Sequence, residues 1–178
     1  MKSLSLYCLK TLTLLILSIT SVTTVYAQTP KVKTADTSTN TAKAKVIMDD
    51  IYKVLLKNPP TFETAKVRLG NKLIEVYVAD TLVRQIFGLM GATSLPKDTG
   101  MLFFFKNPIP ICFWMKDTPL ALSVGFLDEQ GVLIDHKDME PFSEEQHCSK
   151  QAVKYALEIN KGWFEENNIA IGEQLTTE

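Results

Sequence analysis

From Pro60 onward the apolar residues recur at a period close to two, in short runs broken by turn-forming residues, and one stretch only keeps a helical period. That pattern restricts the chain to a β-rich fold with little helix. Ala65, Val67 and Leu69 alternate with Lys66 and Arg68, and Leu73 to Val78 follow after Gly70-Asn71, which predicts a hairpin. Asp80 is the expected N-cap of a helix whose apolar positions are Leu82, Val83, Ile86, Phe87 and Met90, ended by Gly88 and Gly91. Further strands are expected at Met101–Phe105, Ile111–Lys116, Leu122–Leu127 and Val132–His136, the last two separated by a turn at 128–131. A polar loop, 137–150, precedes a strand at Ala152–Ile159 and a short helix around Trp163–Asn167. The predicted architecture is α+β and β-rich: a small barrel or strongly curved, mostly antiparallel sheet with one packed helix and a short C-terminal helix.

Residues 61–178 are expected to form this single domain, and Asn58-Pro59-Pro60 separates it from a different kind of sequence. Val46, Ile47, Ile51, Val54 and Leu55 recur at helical spacing, so a short amphipathic helix is expected there, docked on its own domain or on a partner. Residues 28–44 are mostly Thr, Lys, Ala and Ser without periodicity, the composition of a flexible tether. Residues 1–27 have the layout of a secretory signal peptide: lysines at 2 and 10, no charge from Thr11 to Tyr26, and Val25-Tyr26-Ala27 as the cleavage site. The uncharged stretch is too short for a membrane span. Export to the periplasm or beyond is therefore expected, with Cys8 removed and no transmembrane span left after cleavage.

Charge narrows the function. The whole chain has 19 basic and 20 acidic residues, yet residues 61–178 hold 11 basic and 17 acidic, a net charge of −6. A domain of that sign lacks the electrostatic footprint of a nucleic-acid binder.

Five ordered motifs resemble one family. They are Arg84-Gln85-Ile86-Phe87-Gly88-Leu89-Met90, Ser94-Leu95-Pro96, Gly100-Met101-Leu102-Phe103, Phe113-Trp114-Met115-Lys116-Asp117-Thr118, and Tyr155-Ala156-Leu157-Glu158 followed by Gly162 and Gly172. Together they resemble the domain of unknown function 192 family, also called uncharacterised protein family 0127, over about residues 62–175. The resemblance implies a compact β-rich domain, often exported in bacteria, with no settled activity. The chain departs from the family's common form at Asp117, where that form often has Asn, and at Ser123, where it often has Asp.

Candidate site residues come from polar groups embedded in apolar motifs. Arg84 and Glu158 both lie among apolar neighbours, and a buried charge needs a partner. Arg84 is therefore expected to pair with Glu158 or Asp117, either locking helix to sheet or, with Lys116, presenting a site for an anionic ligand beside Trp114. Alternation puts Cys112, Trp114 and Lys116 on one face of their strand and Phe113 and Met115 on the other. Trp114 is expected to fill core volume rather than wall a pocket. Arg84, Trp114, Lys116, Asp117, Thr118 and Glu158 are the candidate ligand-binding set.

Cys112 and Cys148 are the two cysteines left after signal removal, and either a disulfide or two free thiols fits an exported chain. Cys112, His136, His147 and Cys148 offer zinc-type ligands, but their spacing matches no zinc pattern, so no metal and no cofactor is expected. No Gly-x-Ser-x-Gly elbow, phosphate-cradling glycine loop or His-Glu-x-x-His motif is present. The function expected is a binding or structural accessory module of the cell envelope, its partner an envelope protein or a small ligand. The alternative is an enzyme acting on a small anionic ligand near Arg84, Lys116 and Glu158.

Overall fold

The computed structural model describes residues 37–178. The expected signal peptide and the first part of the expected tether lie outside the described residues. The first element, α1, is a helix at Thr37–Lys57. It is longer than expected, beginning inside the stretch read as tether. One side of it docks on the domain: Tyr52 is buried against Phe87 and Met90, with Met48 and Leu55 beside it. Val46, Ile47 and Val54, which the spacing had grouped into one apolar stripe, face outward.

Strands β1 (Glu63–Leu69) and β2 (Lys72–Ala79) form the expected hairpin, with Arg68 opposite Leu73. A six-residue helix, α2 (Leu82–Phe87), carries the chain to β3 (Thr99–Ile109), which pairs parallel to β2. The helix is shorter than its apolar pattern suggests because Gly88 takes a positive φ of 53° and caps it. Its N-cap is Thr81, whose hydroxyl accepts from the Arg84 amide; Asp80, expected in that role, is ion-paired to the Arg84 guanidinium instead.

The remaining elements are β4 (Cys112–Phe113), β5 (Leu122–Leu127), β6 (Leu133–Met139), β7 (His147–Cys148), β8 (Val153–Asn160), α3 (Trp163–Glu166) and β9 (Leu175–Thr177). Seven strands make one sheet in the order β6-β5-β8-β3-β2-β1-β9, curled into a half-barrel, and β4 and β7 pair separately. All neighbours in the large sheet except β2 and β3 are antiparallel. The β-rich α+β expectation therefore holds. The strand expected over 111–116 shrinks to two residues, since the Met115 amide turns away to donate to the Ser143 carbonyl.

Both faces of the sheet are covered, which is why β5 is buried at all six positions. One face packs Met101, Phe103, Val124, Phe126 and Ala156 against Phe113 and Met115. The other packs Leu69, Ile74, Leu157 and Ile159 against Trp163 and Phe164 of α3. Gly125 sits under α3, where an added Cβ would lie 2.6 Å from the Phe164 ring. After α3 the chain returns to both sheet edges. Leu133 and Gly131 bond to the segment 172–175, and β9 then pairs with β1, so one short stretch ties β6 to β1.

Candidate ligand-binding site

The first face of the sheet is not filled to the end. A cavity of about 290 Å³ remains between α2, β3, β4 and the inner side of α1, close to the lower limit for small-molecule sites. Its walls are aromatic: Tyr52, Phe87, Phe103, Phe105, Phe113 and Trp114 all line it. Phe103 and Phe113 meet edge to face with ring centres 4.9 Å apart, and Tyr52 approaches Trp114 at 5.9 Å. Gln85 helps fix α2 over this space, because its side-chain amide donates to the backbone carbonyls of Ala79 and Phe104.

Glu158 forms the floor. It sits on β8 between Met101 of β3 and Val124 of β5, in the middle of the sheet and only 5% exposed. Strand alternation turns it to the same side as Ala156, towards the cavity. Its Oε2 lies 4.0 Å from where a Cβ on Gly88 would stand, so the glycine leaves the carboxyl room. Burial, acting alone, pushes this carboxyl up to about 8 from an ordinary value of 4.5. Among the described residues no charge or hydrogen bond opposes that effect.

At the mouth, Lys116 is held by two carboxylates, Asp117 at 3.2 Å and Asp49 of α1 at 3.4 Å, and its ammonium lies 5.1 Å above the Tyr52 ring. Partial burial works to lower the lysine's proton affinity, but the two acids outweigh it and hold the ammonium above its ordinary value. Burial raises the Tyr52 hydroxyl. Asp117 has a positive φ of 56°, a conformation that Asn and Asp tolerate better than most residues. An Asn in this place would serve the backbone equally well, but it would give up the charge that Asp117 sets against Lys116. Thr118 is buried, and its hydroxyl donates to the Lys116 carbonyl.

Four of the six candidate residues thus line one cavity: Trp114, Lys116, Thr118 and Glu158. Asp117 stands beside it through Lys116. Arg84 does not join them. Its guanidinium bonds Asp80 at 2.7 Å and the Thr61 carbonyl at 2.9 Å, so the pair expected with Glu158 or Asp117 does not form. Trp114 is not core either: at 37% exposed it forms part of the cavity rim. Cys112 and Cys148 are directly opposite in the β4–β7 pair and are joined by a disulfide, and Cys112 also lines the cavity. Sequence reasoning missed Tyr52 and Gln85. Tyr52 had a signal, since Met48, Tyr52 and Leu55 share a helix face as surely as the more apolar stripe beside them.

A second, more open hollow of about 420 Å³ lies beyond the Phe87–Met90 strip, near Phe62 and Leu95, and among the described residues no charged side chain lines it. The chemistry is concentrated in the first.

The family model DUF192, described as "Uncharacterized ACR", matches residues 64–177. No curated protein matches the chain. Among solved structures, a candidate transcription regulator from Sinorhizobium meliloti 1021 is similar at 28% identity and a TM-score of 0.65, over 67% of this chain and 98% of that one. A protein of unknown function from Novosphingobium aromaticivorans DSM 12444 shares the fold at 22% identity and a TM-score of 0.63, over 67% of this chain and 89% of that one. Helix α1, with Asp49 and Tyr52, precedes the family match.

Proposed function

We propose, starting from the fact that this chain belongs to the DUF192 family, that its domain is a binding module for a small, largely apolar ligand and that the protein works in the cell envelope after export. One observation carries the binding reading: a carboxyl group, Glu158, lies buried at the floor of an aromatic cavity with no hydrogen-bond or charge partner among the described residues. A buried acid without a partner lowers stability, and a structural role for it would require a partner from the protein itself. The partly exposed Trp114 rim provides the entrance. An anionic substrate clamped by Arg84 and Lys116 is disfavoured, because Asp80 already occupies the arginine and Asp49 with Asp117 the lysine.

Export rests on the residues 1–27 pattern and on the oxidised cysteine pair, which suits an oxidising compartment. No helix among the described residues is long and apolar enough to cross a membrane. Cell fractionation with intact-mass measurement should find the protein outside the cytoplasm and beginning at Gln28; a cytoplasmic chain retaining residues 1–27 would refute export. For binding, the purified chain is titrated with benzyl alcohol while the emission of Trp114 is followed in a Trp163→Phe background. A saturable change supports the reading, and an unchanged signal up to millimolar ligand, with no protection against heat, rejects it.

A further inference from the structure

Among the described residues, Glu158 is the one ionisable group at the cavity floor. Its neighbours from β3 and β5 are Met101 and Val124, and α2 contributes the uncharged Gln85 and Gly88. The other ionisable groups lining the cavity among the described residues are Tyr52 and Lys116, on the mouth side. Lys116 is bracketed by Asp49 and Asp117, so the three mouth charges sum to −1. The walls between mouth and floor are ring faces and edges, and aromatic faces attract cations. Such a contact already exists at the cavity mouth, where the Lys116 ammonium lies over Tyr52. Beyond the cavity, residues 61–178 have six more acids than bases.

We propose that the cavity is a receptor for a small organic cation, an ammonium group on an apolar or aromatic body, with the Glu158 carboxylate as its counter-ion at the floor. The assignment rests on the ligand-binding reading above and names the ligand's class. An ammonium supplies the partner that the floor lacks, and its apolar body displaces water from the ring-lined walls. An anion would meet a net negative mouth and an acid below it.

Binding also moves a proton. The empty site holds Glu158 as the neutral acid near neutral pH, since burial raises its carboxyl to about 8. Entry of an alkylammonium forms the carboxylate–ammonium pair, and the carboxyl proton leaves to solvent. The ammonium keeps its own protons, so charge and atoms balance with one proton released per cation bound.

Benzylammonium, benzyl alcohol and benzoate are matched probes small enough for the cavity. They are titrated calorimetrically into the full exported chain near neutral pH, in two buffers of different ionisation enthalpy. Benzylammonium should bind roughly tenfold or more tightly than the alcohol, benzoate should bind worst, and the buffer dependence should report close to one proton released. Affinity for the amine should rise with pH up to about 8 and then level off. Glu158→Gln keeps the shape of the protonated acid, so it should fold, bind amine and alcohol alike, and release no proton. Equal affinity of amine and alcohol in the native chain, tightest binding of benzoate, or an amine preference that survives Glu158→Gln would each overturn the cation assignment while leaving the pocket's binding role intact. Failure of all three probes to bind would overturn both.

Discussion

Glu158 should make the fold sensitive to pH. Its carboxyl titrates near 4.5 when the chain is unfolded and near 8 when folded, so the folded state holds the proton more tightly. The sign follows by linkage: this group's contribution is most favourable below about 4.5, declines as the pH rises through the window, and is constant above about 8. Thermal melts of Glu158→Gln between those limits should lack the decline, with a gain over the native chain of roughly 3–5 kcal/mol at the alkaline end. A native-like slope in the variant would mean that the carboxyl is satisfied. Beneath it, Gly100 lets β3 approach β8, where a Cβ would stand 2.6 Å from the Glu158 carbonyl oxygen. Gly100→Ala should therefore cost about 1–3 kcal/mol in urea unfolding. At this scale the sequence revealed the acid, since a glutamate set within Tyr155-Ala156-Leu157-Glu158-Ile159 has to face something unusual. It hid the partner of Arg84. Asp80 lies four residues earlier, just ahead of the Thr81 cap, a local pair that residue spacing favours over any distant acid.

At the level of elements, α1 and the β4–β7 pair enclose the cavity from outside the main sheet. Tyr52 is the residue that seats α1, so Tyr52→Ala should undock the helix while leaving the domain folded. Hydrogen exchange should then lose protection along Thr37–Lys57 only, and Trp114 emission should shift to the red as its ring is exposed. Loss of protection across the whole sheet would show instead that α1 is integral to the fold. The disulfide closes a separation of 36 residues. Replacing Cys112 and Cys148 together with Ala should lower stability by up to roughly 4 kcal/mol in the chain-entropy view, measured by urea unfolding beside the reduced native protein. The strand pattern, the hairpin and the β5 boundaries were legible because each is a local alternation of side chains. The docking face of α1 was not: its apolar residues spread over more than half the helix surface, and the choice of buried side depends on Phe87 and Met90, far along the chain.

For the whole molecule, strand order lay beyond local pattern. The parallel pairing of β2 with β3 and the position of β8 in mid-sheet are set by contacts between distant segments. Strand β9 was overlooked for the same reason, since Leu175–Thr177 offers three residues and no period. Yet the segment 172–177 joins both edges of the half-barrel. Deleting residues 172–178 should uncover the outer edge of β1 and the start of β6, and light scattering should then show association that grows with concentration. A truncated chain that stays monomeric and melts like the native one would make this closure dispensable.

That closure also sets a clock. Arg68 beside β1's end is ion-paired with Glu178, 110 residues later. A ribosome adding about 5–20 residues per second needs on the order of 10 s to cover that distance. Throughout that interval β1 has β2 on one side and nothing on the other, and the half-barrel cannot be sealed. A chain that matures so late stays threadable for as long as it is being made.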